Sequence, residues 1–200
     1  MQLRALFSML ITAALLAGAA EAQTPASGSL LVATGELTDR NFAESVLLII
    51  HHGEDGTLGI LINRPTSLRP AAVFADIPAI EGYDGTLFLG GPVGPNQLLM
   101  LLRAPPAGML DGPPVVGDVY VSADPAGLDA LGEAPADASR VRLYAGHAAW
   151  GPGQLETEIG AGAWRVVAGR AEWVFAAEPL DLWRQLARER AELIVDSSRR

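Results

Sequence analysis

VLLIIHHGEDGTLGILINRP, residues 46–65, contains two apolar runs on either side of the turn-forming residues Gly53–Gly56. Val46–His52 and Thr57–Asn63 each have the length of a strand, and both are continuously apolar rather than alternating. The stretch therefore predicts a β-hairpin whose strands are covered on both faces. Gly59, inside the second run, predicts a bulge or a close backbone contact.

Outside this hairpin, the chain mixes short apolar runs with turn residues and isolated helix signals. Further strands are predicted at Leu30–Ala33, Thr86–Leu89, Leu98–Arg103, Asp118–Ser122, Arg140–Ala145, Trp164–Val167 and Glu172–Phe175. Helices are predicted at Pro70–Phe74, at Asp124–Gly132, late in Gly146–Glu158, and at Pro179–Leu193. The last of these helices is predicted to be amphipathic, with an apolar face formed by Leu180, Trp183, Leu186 and Ala187. Because strands and helices do not alternate regularly, the sequence predicts a single α+β domain.

The first 22 residues have the layout of a secretory signal peptide. Arg4 precedes the apolar run Ala5–Ala20, and the small-x-small site Ala20-Glu21-Ala22 follows. Cleavage is expected before Gln23, which leaves one domain, residues 23–200, in the periplasm or outside the cell. The alternative is an uncleaved anchor, but the run is shorter than the about 20 apolar residues that span a bilayer. We therefore expect no stable membrane insertion after cleavage.

The composition excludes several kinds of site and partner. All 14 basic residues are Arg, 23 residues are Asp or Glu, and the 200-residue chain has a net charge of -9. Cys is absent, which excludes disulfides, thiolate metal sites, iron–sulfur clusters and a cysteine nucleophile. The chain also lacks a basic stripe and a helix-turn-helix pattern, so no nucleic-acid partner is expected. No cofactor is predicted.

The three histidines are the first residues to examine for metal or acid–base chemistry. His51 and His52 are neighbours on a predicted strand, so their side chains point to opposite faces and cannot easily share an ion. His147 lies near Glu156 and Glu158 in the sequence, but no metal-ligand spacing such as HExxH is present. The sequence therefore predicts no metal site.

Neither serine nor glycine motifs indicate catalysis or phosphate binding. No Ser lies in GxSxG or SxxK. The Gly-rich stretch Leu89–Asn96 follows a strand, but Pro92 and Pro95 each lack an amide donor for a phosphate. A tight strand-to-strand corner is the better interpretation.

Arg64 lies at the end of a buried run, between Asn63 and Pro65. An Arg in this position is committed to a carboxylate, to backbone carbonyls or to an anionic ligand, and Glu156 or Glu158 could be the carboxylate. These two glutamates are two residues apart on a predicted helix, so they point in different directions. The best candidate for a functional cluster consists of Asn63, Arg64, Trp150, Gln154 and Glu156.

Three motifs together resemble the AlgH/YqgE family of bacterial proteins. They are GILINRP (59–65), LGGPV (89–93) and GHAAWGPGQLETEI (146–159), and the resemblance extends from Ser29 to the helix with Trp183. The positions that match are Asn63, Arg64, Pro65, Gly90, Gly91, Pro92, Gly146, Trp150, Gly153, Gln154, Leu155 and Glu156. This sequence departs from the family at Ala149, where the family usually has Gly, and in its N-terminal leader.

The resemblance implies a bent, mostly antiparallel and partly barrel-like sheet with short helices packed on it. It implies no established activity, although some members carry the label of transcriptional regulator. Pro65, Gly153, Leu155 and the Gly and Pro residues of the other motifs suit backbone geometry better than catalysis. The leading hypothesis is an exported, non-enzymatic binding or regulatory module with an unknown protein or small-molecule partner. The alternatives are a hydrolase-type enzyme that uses His147 and Glu156, and an indirect transcriptional regulator.

Overall fold

The predicted hairpin forms and lies within the sheet of the computed structural model, which describes residues 24–125 and 139–188. Its strands are β2 (Val46–Gly53) and β3 (Gly56–Leu61), and most of their apolar side chains are buried. The register shifts by one residue between Ile49 and His51, opposite Gly59. A Cβ on Gly59 would lie 3.2 Å from the Trp150 ring. The same Cβ would lie 3.3 Å from the Leu48 carbonyl oxygen, so the predicted close backbone contact is present, while the register shift lies in the facing strand β2.

Eight strands form one open, mostly antiparallel sheet. The other six are β1 (Ser29–Ala33), β4 (Leu87–Leu89), β5 (Val93–Arg103), β6 (Val119–Ser122), β7 (Val141–Trp150) and β8 (Trp164–Ala168). The strand order is β6-β5-β7-β3-β2-β1-β8, and β4 pairs with β7 in parallel. In the described residues β6 and β8 stand at the two ends of this order, so the sheet does not close into a barrel. The α+β class is confirmed.

Short helices pack on both faces of the sheet. They are α1 (Pro70–Val73), α2 (Gln154–Gly160), α3 (Ala171–Val174) and α4 (182–188), with 3-10 turns at Arg40–Phe42, Pro78–Ile80 and Pro179–Asp181. The helix predicted at Asp124–Gly132 lies almost entirely outside the described residues, as does the leader, and so do residues 189–193 of the last predicted helix.

Three predictions of secondary structure were wrong in detail. Glu172–Phe175 is not a strand, because Ala171 and Val174, three residues apart, are both buried on one side of α3. The strand predicted to end at Ala145 continues through Gly146 to Trp150. Leu180 is 67% exposed, because it lies in a 3-10 turn before α4 begins. Leu182 and Leu186, four residues apart, form the buried face of that helix.

The glycine corner carries the chain across β7. β4 and β5 pair with overlapping parts of β7, so β4 lies along one edge of β7 and β5 along the other. The three residues between β4 and β5, Gly90–Pro92, must therefore cross β7. A Cβ on Gly90 would lie 2.1 Å from the Gly146 carbonyl oxygen, and a Cβ on Gly91 would lie 2.2 Å from the His147 carbonyl. Gly146 itself has φ 71°, a left-handed conformation. The predicted strand-to-strand corner is confirmed, and the contact distance explains its glycines.

Each face of the sheet has its own apolar core. On one face, a cluster that includes Leu48 and Leu182 lies beneath α3 and α4. The other face carries two clusters: one contains Met100 and packs against α1, and the other contains Leu47 and Leu155 and packs against α2. The hairpin strands are therefore covered on both faces, as their continuous apolarity predicts.

Strand register decides which candidate side chains share a face. Strand pairing places three residues side by side on the face that α2 covers: His52, Thr57 and Trp150. On the opposite face it places His51, Leu58 and Ala149 side by side. The two neighbouring histidines therefore point to opposite faces, as expected.

Candidate functional site

Glu158 organises the candidate residues of the third motif. Its Oε2 accepts hydrogen bonds from the indole Nε1 of Trp150 at 3.0 Å and of Trp164 at 2.7 Å. Its Oε1 accepts from Gln154 Nε2 at 3.0 Å, and Gln154 Oε1 accepts from the Gly151 amide at 3.1 Å. The carboxylate thus joins the end of β7, the start of β8 and the first turn of α2.

The two indoles form an aromatic cluster with Phe42. The Trp150 and Trp164 rings meet edge to face with centroids 6.1 Å apart. Phe42 stacks on Trp150 at 6.5 Å and contacts Trp164 edge-on at 5.8 Å. Both tryptophans are buried, at 6% and 3% exposure, while Phe42 is half-buried and belongs to the 3-10 turn 40–42. This turn is therefore held against the two tryptophans by the aromatic contacts of Phe42.

Asn63 and Arg64 hold the loop that follows this turn. The Asn63 side chain accepts from the Val46 amide at 2.9 Å and donates to the Glu44 carbonyl at 2.9 Å. Arg64 Nη2 donates to the Ala43 carbonyl. Glu44 has φ 55°, which is strained for a residue other than glycine and requires such support.

In the described residues, Arg64 does not pair with Glu156 or Glu158. Of the three kinds of partner that the sequence allows, it has a backbone carbonyl, that of Ala43. Its Nε is buried and has no hydrogen-bond partner among residues 24–125 and 139–188. Glu156 instead faces His52, with 3.4 Å between Oε1 and Nε2, and His52 Nδ1 lies 2.8 Å from Thr57 Oγ1. The two glutamates of α2 do point in different directions.

His147 is separated from this group by the sheet. Ala148 and Trp150 point to the α2 face, so His147 and Ala149 point to the other. On that face His147 lies opposite Val93 of β5. The structure therefore does not bring His147 and Glu156 together. In the described part of the chain, no group of three or more His, Asp or Glu side chains could hold a metal ion.

The remaining motif residues serve the backbone. Gly153 has φ 73° at the N-cap of α2, and Leu155 is fully buried beneath that helix. Pro65 forms an isolated bridge with Phe88 of β4. Pro92 is an exposed residue of the crossing corner.

Sequence reasoning missed Phe42 and Trp164, and the one partner it offered for Glu158 was Arg64, which does not pair with it in the described residues. One signal was available for Glu158: it lies four residues after Gln154, and residues at this spacing are neighbours on a helix. Phe42 and Trp164 come from distant segments, so only the fold brings them to Trp150.

Arg142 is a second buried polar group, on the face that α3 and α4 cover. Its guanidinium donates to the Val174 carbonyl at 3.0 Å and to the Ala176 carbonyl at 2.5 Å. Burial raises the pKa of Tyr83 to about 12, and the positive charge of Arg142 partly offsets the rise. Burial raises the pKa of Tyr144 further, and its hydroxyl has no partner in the described residues. The two hydrogen bonds of Arg142 hold the C-terminal end of α3 to the sheet.

Comparison with known proteins identifies the family. The chain belongs to the AlgH-like family, whose model, DUF179, matches residues 30–192. A UPF0301 protein of Streptomyces avermitilis is 38% identical over 179 residues, which cover 84% of this chain and 89% of that protein. A UPF0301 protein of Thermobifida fusca is 38% identical over 175 residues, with 84% and 88% covered. The resemblance to the AlgH/YqgE family is thereby confirmed.

Solved structures agree with this assignment. The crystal structure of a Corynebacterium diphtheriae protein is similar with a TM-score of 0.67 and 28% identity, covering 84% of this chain and 89% of that one. The solution structure of the AlgH protein from Pseudomonas aeruginosa is similar with a TM-score of 0.65 and 25% identity, covering 82% and 88%. Within the described residues, no helix combines the length and apolarity needed to cross a membrane.

Proposed function

We propose that this AlgH-like protein is an exported, non-enzymatic binding or regulatory module whose contact surface surrounds the turn 40–43. One observation carries the proposal: two segments that are far apart in the sequence both contact this turn. Arg64 donates to the Ala43 carbonyl, and Trp150 stacks on Phe42. Through Glu158, the exposed Gln154 is joined to the same group.

The arrangement of polar atoms supports binding over acid–base catalysis. Three N–H donors engage the two oxygens of Glu158, so this carboxylate positions its neighbours. The pair of groups that a hydrolase would use, His147 and Glu156, lies on two sides of the sheet. The excess of 23 acidic residues over 14 Arg favours a protein or small-molecule partner over a nucleic acid.

Export is tested by the N-terminus of the protein isolated from its native host. Edman sequencing of the periplasmic or secreted fraction should begin at Gln23, because Ala20-Glu21-Ala22 supplies the cleavage site. Recovery of the protein only from the cytoplasm, with Met1 intact, would overturn the proposed export.

The contact surface is tested by affinity capture from a periplasmic extract. Arg64→Ala and Gln154→Ala should each lose bound partners that the wild type retains. Arg184→Ala is the control, because it also removes an Arg, but one that is exposed and pairs with Asp181, at 3.0 Å, beside α4. If Arg64→Ala captures the same set as the wild type, Arg64 does not belong to the site.

A further inference from the structure

Arg64 and Leu89 lie side by side on two paired segments. Pro65 and Phe88 form an antiparallel bridge, and the Leu89 amide donates to the Arg64 carbonyl at 2.9 Å. Residues 64 and 89 are therefore directly opposite each other, and their side chains project from the same side of the pair. Leu89 is 42% exposed although it lies in the middle of the fold.

Among the described residues, the Arg64 guanidinium has one hydrogen-bond acceptor. Of its three nitrogens, Nη2 donates to the Ala43 carbonyl and Nε is buried without a partner in the described residues. Within that part of the chain, no carboxylate lies in ion-pair distance of Arg64, although carboxylates outnumber arginines in this protein. A guanidinium prefers planar anions that accept two of its N–H groups, and a carboxylate has that geometry.

We propose that Arg64 and Leu89 form a binding site for a ligand that carries a carboxylate next to an apolar group. The inference deepens the proposed binding function and rests on it. The carboxylate accepts from the guanidinium, and the apolar group covers the exposed Leu89 side chain. The C-terminal residue of a peptide and a free branched-chain acid share this chemistry.

The test is an NMR titration of the purified protein with N-acetyl-leucine. Saturable shifts are expected at the Leu89 amide and at the Arg64 Nε–H group, which reports directly on the guanidinium. N-acetyl-leucinamide lacks the carboxylate and acetate lacks the apolar group, so each should bind about tenfold more weakly or worse. Equal binding of the amide, or shifts that leave both residues unchanged, would overturn the proposal.

Two variants and one further ligand complete the experiment. Leu89→Ser changes an exposed side chain, so it should keep the fold and weaken N-acetyl-leucine about threefold to tenfold. Arg64→Gln should abolish the shifts, whereas Arg184→Gln should retain them. If Leu89→Ser binds as tightly as the wild type, the apolar half of the site is wrong and the proposal fails.

An N-acetylated tetrapeptide that ends in leucine distinguishes the two sources of the ligand. Binding as tight as that of N-acetyl-leucine indicates a protein C-terminus, and exclusion of the tetrapeptide indicates a small acid. Failure of this inference can also be separated from failure of the proposed function. If the probes do not bind while Gln154→Ala still loses captured partners, the module binds by other chemistry.

Discussion

Replacing Glu158 with Ala should lower the free energy of unfolding by about 2–4 kcal/mol, because the change leaves indole N–H groups without an acceptor. The Trp150 and Trp164 rings are 6% and 3% exposed, and each donates to Glu158 Oε2, at 3.0 and 2.7 Å. Each buried donor that loses its partner costs about 1–3 kcal/mol. Two such donors together would cost about 2–6 kcal/mol. Because Glu158 is only half-buried, water can reach part of the site, so we expect the lower half of this range, about 2–4 kcal/mol.

The assay is urea unfolding followed by far-ultraviolet circular dichroism, since tryptophan emission would change for local reasons. Glu158→Gln retains one carbonyl oxygen for both indoles and should cost about 1 kcal/mol. Glu156→Ala, two residues earlier on the same helix, is the matched control. It removes an exposed contact with His52 at 3.4 Å and should cost about 0.5 kcal/mol.

The reasoning fails if Glu158→Ala and Glu156→Ala destabilise the protein equally. That result would mean that water replaces the carboxylate at no cost, so that apolar packing alone holds the aromatic cluster. A loss for Glu158→Gln as large as for Glu158→Ala would also count against it, because the negative charge, and not the acceptor, would then be the essential feature.

Three further predictions concern the glycine crossing and the titrating groups. Gly146→Ala should destabilise the fold by about 2–5 kcal/mol in urea unfolding, since φ is 71° and a Cβ would lie 2.7 and 2.8 Å from two carbonyl oxygens; a loss under 1 kcal/mol would contradict the crossing. Burial raises the pKa of Tyr83 to about 12 and that of Tyr144 further. The free energy of unfolding is therefore unaffected by these two tyrosines below pH about 10, where unfolded tyrosine ionises, and it falls as the pH rises from there through their pKa values in the folded protein. The tyrosinate absorbance of these two residues, followed in a Tyr120→Phe background, should therefore appear together with unfolding, and ionisation of both near pH about 10 in folded protein would contradict this. The hydrogen bond and charge of His51 lower the pKa of Asp55, so His51→Ala should raise it toward 3.8 in an NMR titration, whereas no change would exclude the pair as the cause.

Local sequence patterns predicted a strand correctly where an apolar run had turn-forming residues at both ends. The hairpin 46–65 has Gly at its turn and continuous apolarity, so length and composition point to the same structure. The corner at Gly90 was also predictable as a turn between strands. That it crosses β7 was not, because the crossing depends on both edges of a strand that comes about 50 residues later in the sequence.

The errors in secondary structure have a common physical cause. Glu172–Phe175 contains Trp, Val and Phe, which favour strands, but burial of Ala171 and Val174 against the sheet favours one turn of helix. Gly146 looked like the end of a strand because glycine commonly marks one. Here its left-handed conformation lets β7 continue beneath the crossing corner. In each case a contact with a distant segment outweighs the local preference.

The candidate site shows most clearly why residue types alone were insufficient. Whether two side chains meet across a sheet depends on strand parity, and one residue of shift moves a side chain to the other face. His147 and Trp150 are three residues apart on β7, so they point to opposite faces, and Glu156, which follows Trp150 onto the α2 side, meets His52 instead. Without the strand register, the sequence does not show whether His52 or His147 meets Glu156. The pairing of β3 with β7 determines that it is His52. The same pairing places Glu158 beside the two indole N–H groups, from which it accepts hydrogen bonds.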